Sequence, residues 1–208
     1  MMKLLQLSHL ALKRNRNYIF QNLQGSYDLG EIVLLTGANG SGKSSLLAAI
    51  AGDFDIAAGK VLLNDIEIST LTVKELALLR SSLSQTNRYS LAFTPRQMLE
   101  RITKQFSGRT RSINTLTAAL NLEKLLDKSL LELSGGECQR ISLAFTLMPE
   151  VPIYLLDEPL SAQDDENAEI VSRYIVKVVS CGALALIATH VTKPFEDTSV
   201  SKSLLSLD

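Results

Sequence analysis

The chain of 208 residues has no tryptophan, two cysteines, two histidines and five prolines, and its charges nearly cancel, 21 lysines and arginines against 22 aspartates and glutamates. Each shortage removes a class of answer. Cys138 and Cys181 cannot build a disulfide framework, so a cytosolic address is expected. A net charge of −1 leaves no electrostatic footprint for non-specific nucleic-acid binding, and no nucleic-acid partner is expected. The longest apolar runs, Leu46–Ala51 and Ala183–Ala188, are six residues each, against the roughly 18 to 20 that cross a bilayer. The opening Met1-Met2-Lys3-Leu4-Leu5-Gln6-Leu7-Ser8-His9 is too interrupted by polar side chains to serve as a secretory signal. What is plentiful is aliphatic: apolar residues reach 46%, which excludes disorder and implies a packed, largely aliphatic core.

At roughly 150 residues per domain, this length suits one compact domain, residues 1–208, carrying an inserted lobe. Two strand-like alternations open the chain, around Lys3 to Leu12 and Tyr18 to Leu29. The apolar run Glu31 to Thr36 suits a fully buried strand. Ser44 to Ala51 reads as a helix ended by Gly52, and Lys60 to Leu63 and Glu67 to Leu71 as short extended pieces. From about Thr72 the composition shifts to helix formers, with Leu116, Leu120 and Leu126 in roughly helical spacing; this places the helical lobe at about 72–150. Buried strands follow at Ile153–Leu156 and Leu184–Ala188, joined by a helix over about Glu166 to Val179 that is long enough for a parallel crossover. Chemistry-bearing residues thereby fall at strand C-terminal ends, where open α/β sheets bind ligands.

Gly37-Ala38-Asn39-Gly40-Ser41-Gly42-Lys43-Ser44 fits a phosphate-binding loop at every fixed position and stands between a strand and a helix. Glycines let successive N–H groups turn inward, and the helix start adds its positive dipole end. Lys43 is expected to meet the β- and γ-phosphates and the Ser44 hydroxyl to ligate Mg²⁺, with Ser45 next in the cradle. The bland alternative is a glycine-rich turn with an incidental Lys-Ser. Asp157, at the end of a buried strand, is placed to hold the magnesium shell, and Glu158 to poise water for in-line attack. Both carboxylates otherwise read as helix caps.

Leu133-Ser134-Gly135-Gly136-Glu137-Cys138-Gln139-Arg140 resembles the signature sequence of ATP-binding-cassette (ABC) ATPases. The rest follows in that family's order: Gln85 resembles its Q-loop glutamine, Asp157-Glu158 its Walker B end, Ser161-Ala162-Gln163-Asp164 its D-loop, and His190 its switch histidine. The resemblance runs from about Leu4 to Leu207. It implies an α/β fold, a P-loop NTPase with the ABC core: a mainly parallel sheet, an N-terminal antiparallel β subdomain and an inserted α-helical subdomain. It also implies ATP and Mg²⁺ as ligands, with Gln85 at the metal and the attacking water. Two such chains, as a homodimer or with a similar ATPase, would sandwich ATP head to tail, Ser134, Gly135, Gly136 and Glu137 of one gripping the nucleotide of the other. The remaining partner would be an integral membrane permease, with the chain peripheral on the inner face of the membrane. On the residues alone, Ser134 and Glu137 also make a capping box, and the two readings are compatible.

Two positions depart from the family. Arg14 stands where the family usually stacks adenine on an aromatic residue, which leaves three options: Arg14 stacks on the base, Tyr18 swings in, or the base is held loosely. Gln163 stands where leucine is common in the D-loop. The stretches Leu76–Gln85 and Leu133–Ile141 look most like the ATPases of cobalamin, haem and iron-siderophore importers, while Arg14 and the short length are similar to the haem-export ATPase of cytochrome c maturation. Seven basic residues, Arg80, Arg88, Arg96, Arg101, Lys104, Arg109 and Arg111, stand against the one acid Glu100 between positions 80 and 111. They read either as a solvated face or, with Tyr89 and Phe93, as the groove that receives a membrane partner. Cys138 reads as a small packed side chain or a thiol sensor, and His9 as structural. The rival functions are a soluble ABC ATPase of repair, ribosome or iron–sulfur assembly, and a nucleotide-dependent module without turnover.

Overall fold

The computed structural model describes residues 3–85, 89–90, 92–195 and 200–207; Arg88 of the basic run lies outside them. Strands β1 (Leu5–Arg14) and β2 (Asn17–Tyr27) form an antiparallel hairpin, extended by β4 (Ile56–Leu63) and β5 (Ile66–Glu67) into a sheet of order β2-β1-β4-β5. The extended piece expected over Glu67–Leu71 is only partly strand: Ile68–Thr70 turn into a 3₁₀ helix that buries Ile68.

The second sheet is parallel, of order β6-β7-β8-β3-β9, from β3 (Glu31–Thr36), β6 (Arg80–Leu83), β7 (Ile153–Asp157), β8 (Leu184–Ala188) and β9 (Ser201–Ser206). Alternate residues of a strand face opposite sides, and here both sides are covered. Val33, Leu35, Leu155 and Leu186 pack towards α1 (Lys43–Ala51) and the antiparallel sheet. Ile32, Leu34, Leu156 and Ile187 pack towards α5 (Gly135–Leu147) and α6 (Asp165–Ser180). Each fully buried leucine or isoleucine contributes about 1.5–3 kcal/mol, which explains the continuous apolar runs in β3, β7 and β8. Helix α6 presents Val171, Tyr174, Ile175, Val178 and Val179 to the sheet, a spacing of three and four residues.

The shift to helix formers at Thr72 marks α2 (Val73–Leu79), started by a Thr72/Glu75 capping box. The chain then returns to the core sheet as β6 within the 72–150 span, so the lobe's own helices begin at α3 (Pro95–Gln105) and continue through α4 (Ile113–Ala119) to α5. Leu116, Leu120 and Leu126 are all buried, but they do not share one helix. α4 ends at Ala119, Asn121 takes a left-handed φ of 52°, and Leu126 follows a separate 3₁₀ turn.

Candidate nucleotide site

Four strand ends converge: the loop after β3 carries Gly37–Gly42, β6 leads to Gln85, β7 ends at Asp157-Glu158, and β8 leads to His190. Among the described residues, Asn39, Gly40, Gly42, Lys43, Ser44, Ser45, Gln85, Asp157, Glu158, His190 and Arg14 line one cavity of about 350 Å³. The structure thus brings together residues that the sequence scatters over more than 170 positions. Gly37, Gly40 and Gly42 have φ of 138°, 82° and 106°, so the loop requires glycine there. A Cβ on Gly42 would run into Ile19 and Phe20, which fastens the loop to the hairpin. Ala38 contributes its backbone: Lys43 Nζ donates to the carbonyls of Gly37 at 2.7 Å and Ala38 at 3.0 Å, arching back over the loop from the first turn of α1. Ser41 Oγ is buried and has no hydrogen-bond partner among the described residues. A buried hydroxyl left unpaired is costly, and in a loop lined with N–H groups it fits an anionic ligand.

Asp157 is buried, and burial pushes its carboxyl above the ordinary value, opposed by a hydrogen bond from Ser44 and the charge of Lys43. Burial also raises Glu158. The His190 charge and backbone N–H oppose that rise, while Asp157 adds to it. Glu158 Oε1 lies 3.5 Å from His190 Nε2. The pair Ser44 and Asp157 offers hard oxygen donors suited to Mg²⁺. Among the described residues no three His, Cys, Asp or Glu side chains cluster into a self-sufficient metal site, so such an ion would depend on phosphate oxygens as well.

Glu158 has a left-handed φ of 50°, a strain of order 1 kcal/mol or more outside glycine. Three donors hold its carbonyl: the Ser161 N–H at 3.1 Å, Ser161 Oγ at 2.8 Å and Gln139 Nε2 at 3.1 Å. Gln139 is buried in α5 with Ser142 and Thr146. These polar residues recur at helical spacing on a face that packs into the core, and that stripe was the available signal for Gln139, which motif reading passed over.

The signature turn begins α5 with the capping box as expected. Ser134 N–H donates to Glu137 Oε2 at 2.8 Å and Glu137 N–H to Ser134 Oγ at 3.4 Å. Ser134 and Gly135 are exposed, and a Cβ on Gly135 would meet nothing within 4 Å. Gly136 is different: a Cβ there would come within 2.6 Å of the Ala162 carbonyl oxygen. Gln163 turns towards its own chain, its Nε2 donating to the Gly136 carbonyl at 3.2 Å, and Asp164 caps α6 through the Asn167 N–H at 2.8 Å. Ser134, Gly135, Gly136, Glu137 and Asp164 do not line the 350 Å³ cavity; Gly135 lines an adjoining one that shares Gln85 with it.

The basic run resolves into distinct roles. Arg80 donates to the Ala51 carbonyl, Arg96 grips Asp127 at 2.7 and 2.9 Å, and Arg111 holds the carbonyls of Leu147 and Pro149 and the Tyr154 hydroxyl. Tyr89 turns inward, bonding Ser142 Oγ at 2.5 Å and meeting Phe145 edge-on, whereas Phe93 lines a groove of about 290 Å³ with Met98, Arg101 and Lys104. Cys138 points its thiol at the Leu133 carbonyl, 3.7 Å away, and burial raises its pKa. His9 pairs with Asn22 at 2.7 Å in the hairpin.

A family model described as ABC transporter matches residues 20–161. The hemin import ATP-binding protein HmuV of Rhodococcus jostii is 31% identical over 187 residues, 87% of this chain and 64% of that protein. The vitamin B12 import ATP-binding protein BtuD of Vibrio parahaemolyticus is 34% identical over 176 residues, 77% of this chain and 69% of that protein. The chain therefore spans less than two thirds of the Rhodococcus protein's length. A solved structure described as the ATP binding subunit of an ABC transporter superposes with a TM-score of 0.83 at 19% identity, over 98% of this chain and 86% of that one, a likeness of fold.

Proposed function

Because the chain belongs to the ABC transporter family, we propose that it is the ATP-hydrolysing subunit of a membrane transporter, dimerising around MgATP and driving a separate permease. The observation that carries this reading is the convergence of Lys43, Ser44, Gln85, Asp157, Glu158 and His190 on one cavity at the C-terminal edge of the parallel sheet. No helix among the described residues is long and apolar enough to cross a membrane, and the chain's place is peripheral, against the permease on the inner face. The hemin and vitamin B12 importers among its relatives favour import over export.

Positioning and charge stabilisation carry phosphoryl transfer to water. The loop N–H groups, Ser41 Oγ and Lys43 take the phosphate oxygens, Lys43 exchanging its two loop carbonyls for them. Ser44 and Asp157 would hold Mg²⁺, which supplies charge neutralisation on those oxygens. Glu158 accepts the proton of the attacking water, and its raised pKa brings it closer to the working pH than an ordinary carboxylate. His190 holds Glu158 and reaches the γ-phosphate. Gln85 lines both this cavity and the adjoining one beside Tyr89 and Gly135, so it links the site to the lobe. The exposed Ser134 and Gly135 are placed to close on the nucleotide of a second copy, since a glycine with open space in front admits close approach of a phosphate.

The test is purification of the tagged chain from its native host after detergent solubilisation. Co-purification of a polytopic membrane protein is expected; recovery only from the soluble fraction with ribosomes, nucleic acid or assembly factors would overturn the transporter reading.

A further inference from the structure

The aromatic rings near the tip of the β1–β2 hairpin are each engaged. Tyr18 carries the Lys13 ammonium 4.1 Å from its ring centre. Phe20 packs with Ile19 against Gly42 and the core. Phe54 lies under the Arg14 guanidinium, 5.9 Å from its ring centre. Among the described residues, the lining of the 350 Å³ cavity includes no Phe, Tyr or Trp. Phe54 lines an adjoining cavity of about 480 Å³ that shares Arg14, Ser44, Ser45 and Asp157 with this one, and there Arg14 lies over its ring.

Arg14 itself is the last residue of β1, paired with Asn17 at the hairpin end. Its Nη2 donates to Ser45 Oγ at 3.3 Å, and its side chain lines the cavity with Lys43 and Ser44. Ser45 is buried in the first turn of α1, where backbone N–H groups lack intrahelical partners. The guanidinium is therefore laid along the start of α1, on the side where those N–H groups and Lys43 gather negative charge. With five donors in a fixed fork, an arginine there matches phosphate oxygens.

We infer that Arg14 reads phosphate and not base, so that the site accepts nucleoside triphosphates with little regard to the base they carry. This rests on the nucleotide-binding reading above. The affinity is held in the triphosphate, and Arg14 contributes the same factor to every nucleotide.

The experiment displaces a ribose-labelled fluorescent ATP from the full chain, with Mg²⁺ present, using ATP, GTP, CTP, UTP and inorganic tripolyphosphate. Wild type, Arg14→Ala and Arg14→Lys are compared, each checked for native circular dichroism because Arg14 is exposed. The four nucleotides should compete within about threefold of one another, and tripolyphosphate should compete too, since shared phosphate contacts carry the binding. Arg14→Ala should weaken all four by a common factor of roughly 10 to 100, with partial recovery in Arg14→Lys, as expected for loss of a charged hydrogen bond. ATP binding tenfold or more tighter than CTP and UTP, with that preference erased in Arg14→Ala, would overturn the inference in favour of base stacking. Unchanged affinities in Arg14→Ala would overturn it as well. Failure of the labelled ATP to bind wild type at all would instead remove the nucleotide reading beneath it, and Lys43→Ala serves as the matching control.

Discussion

Replacing Gln139 with leucine removes one of three donors from the Glu158 carbonyl while keeping a side chain of similar volume in the same buried slot of α5. The Ser161 N–H and Oγ still reach that carbonyl, at 3.1 and 2.8 Å, so the acceptor is not orphaned. The loss at that carbonyl is therefore that of an ordinary hydrogen bond, about 0.5–1.5 kcal/mol. For a chain of this size each kcal/mol lowers the melting temperature by about 2–4 °C. The kinetic effect follows from the left-handed φ of Glu158: with weaker tethering, relaxed backbone states compete with the one that aims the carboxylate at the cavity. If that competition takes up the whole loss, kcat falls by about two- to tenfold. KM for MgATP should hold, because Lys43 and the phosphate loop are untouched. Steady-state ATPase assays beside a thermal melt read both quantities. A lowered melting temperature with kcat unchanged would refute the idea that Gln139 positions Glu158 and reduce it to packing.

Three other outcomes are expected. Glu158→Gln should abolish most turnover while stabilising the fold at neutral pH, because burial disfavours the native carboxylate; the wild type's handicap is absent below the ordinary value of 4.5, develops as pH rises through the raised native value, and persists above it. Thermal melts of the two proteins should thus diverge as pH rises, and the wild-type rate should decline as pH falls through that same raised value. Gly136→Ala should force the Ala162 backbone away, with a stability loss of about 1–3 kcal/mol in denaturant titration, since the collision is with a carbonyl and not with a flexible tip. Arg111→Met should lower stability by about 2–3 kcal/mol, as it strips donors from the carbonyls of Leu147 and Pro149 and from the buried Tyr154 hydroxyl; insensitivity to this change would return Arg111 to the solvated face.

Much of this protein was legible in one dimension. The phosphate loop fell between β3 and α1 because its glycines and the apolar run before them each permit little else, and Ser134 with Glu137 announced the start of α5. Where the reading fell short, the missing information was tertiary. Arg80-Ser81-Ser82-Leu83 has no strand pattern; β7 alongside recruits its backbone into the sheet. Basic residues in a run carry no label saying which ones face inward, yet Arg111 braces the end of α5 and Arg96 pairs with Asp127. Tyr89 lines an open cavity beside Gln85 and Gly135, but its hydroxyl is tied to Ser142 and its ring meets Phe145, contacts that only the fold supplies. Gln163 stands out by residue type alone, and only the fold shows its amide bonding the Gly136 carbonyl 27 positions away.

The central claim is that this chain holds half of a composite ATP site, completed by the signature turn of another copy. Sedimentation of purified Glu158→Gln with MgATP tests it most directly. The account predicts a dimer that forms with MgATP and dissolves in Ser134→Arg or Lys43→Ala backgrounds. A species that binds MgATP yet stays monomeric at every protein concentration would contradict it.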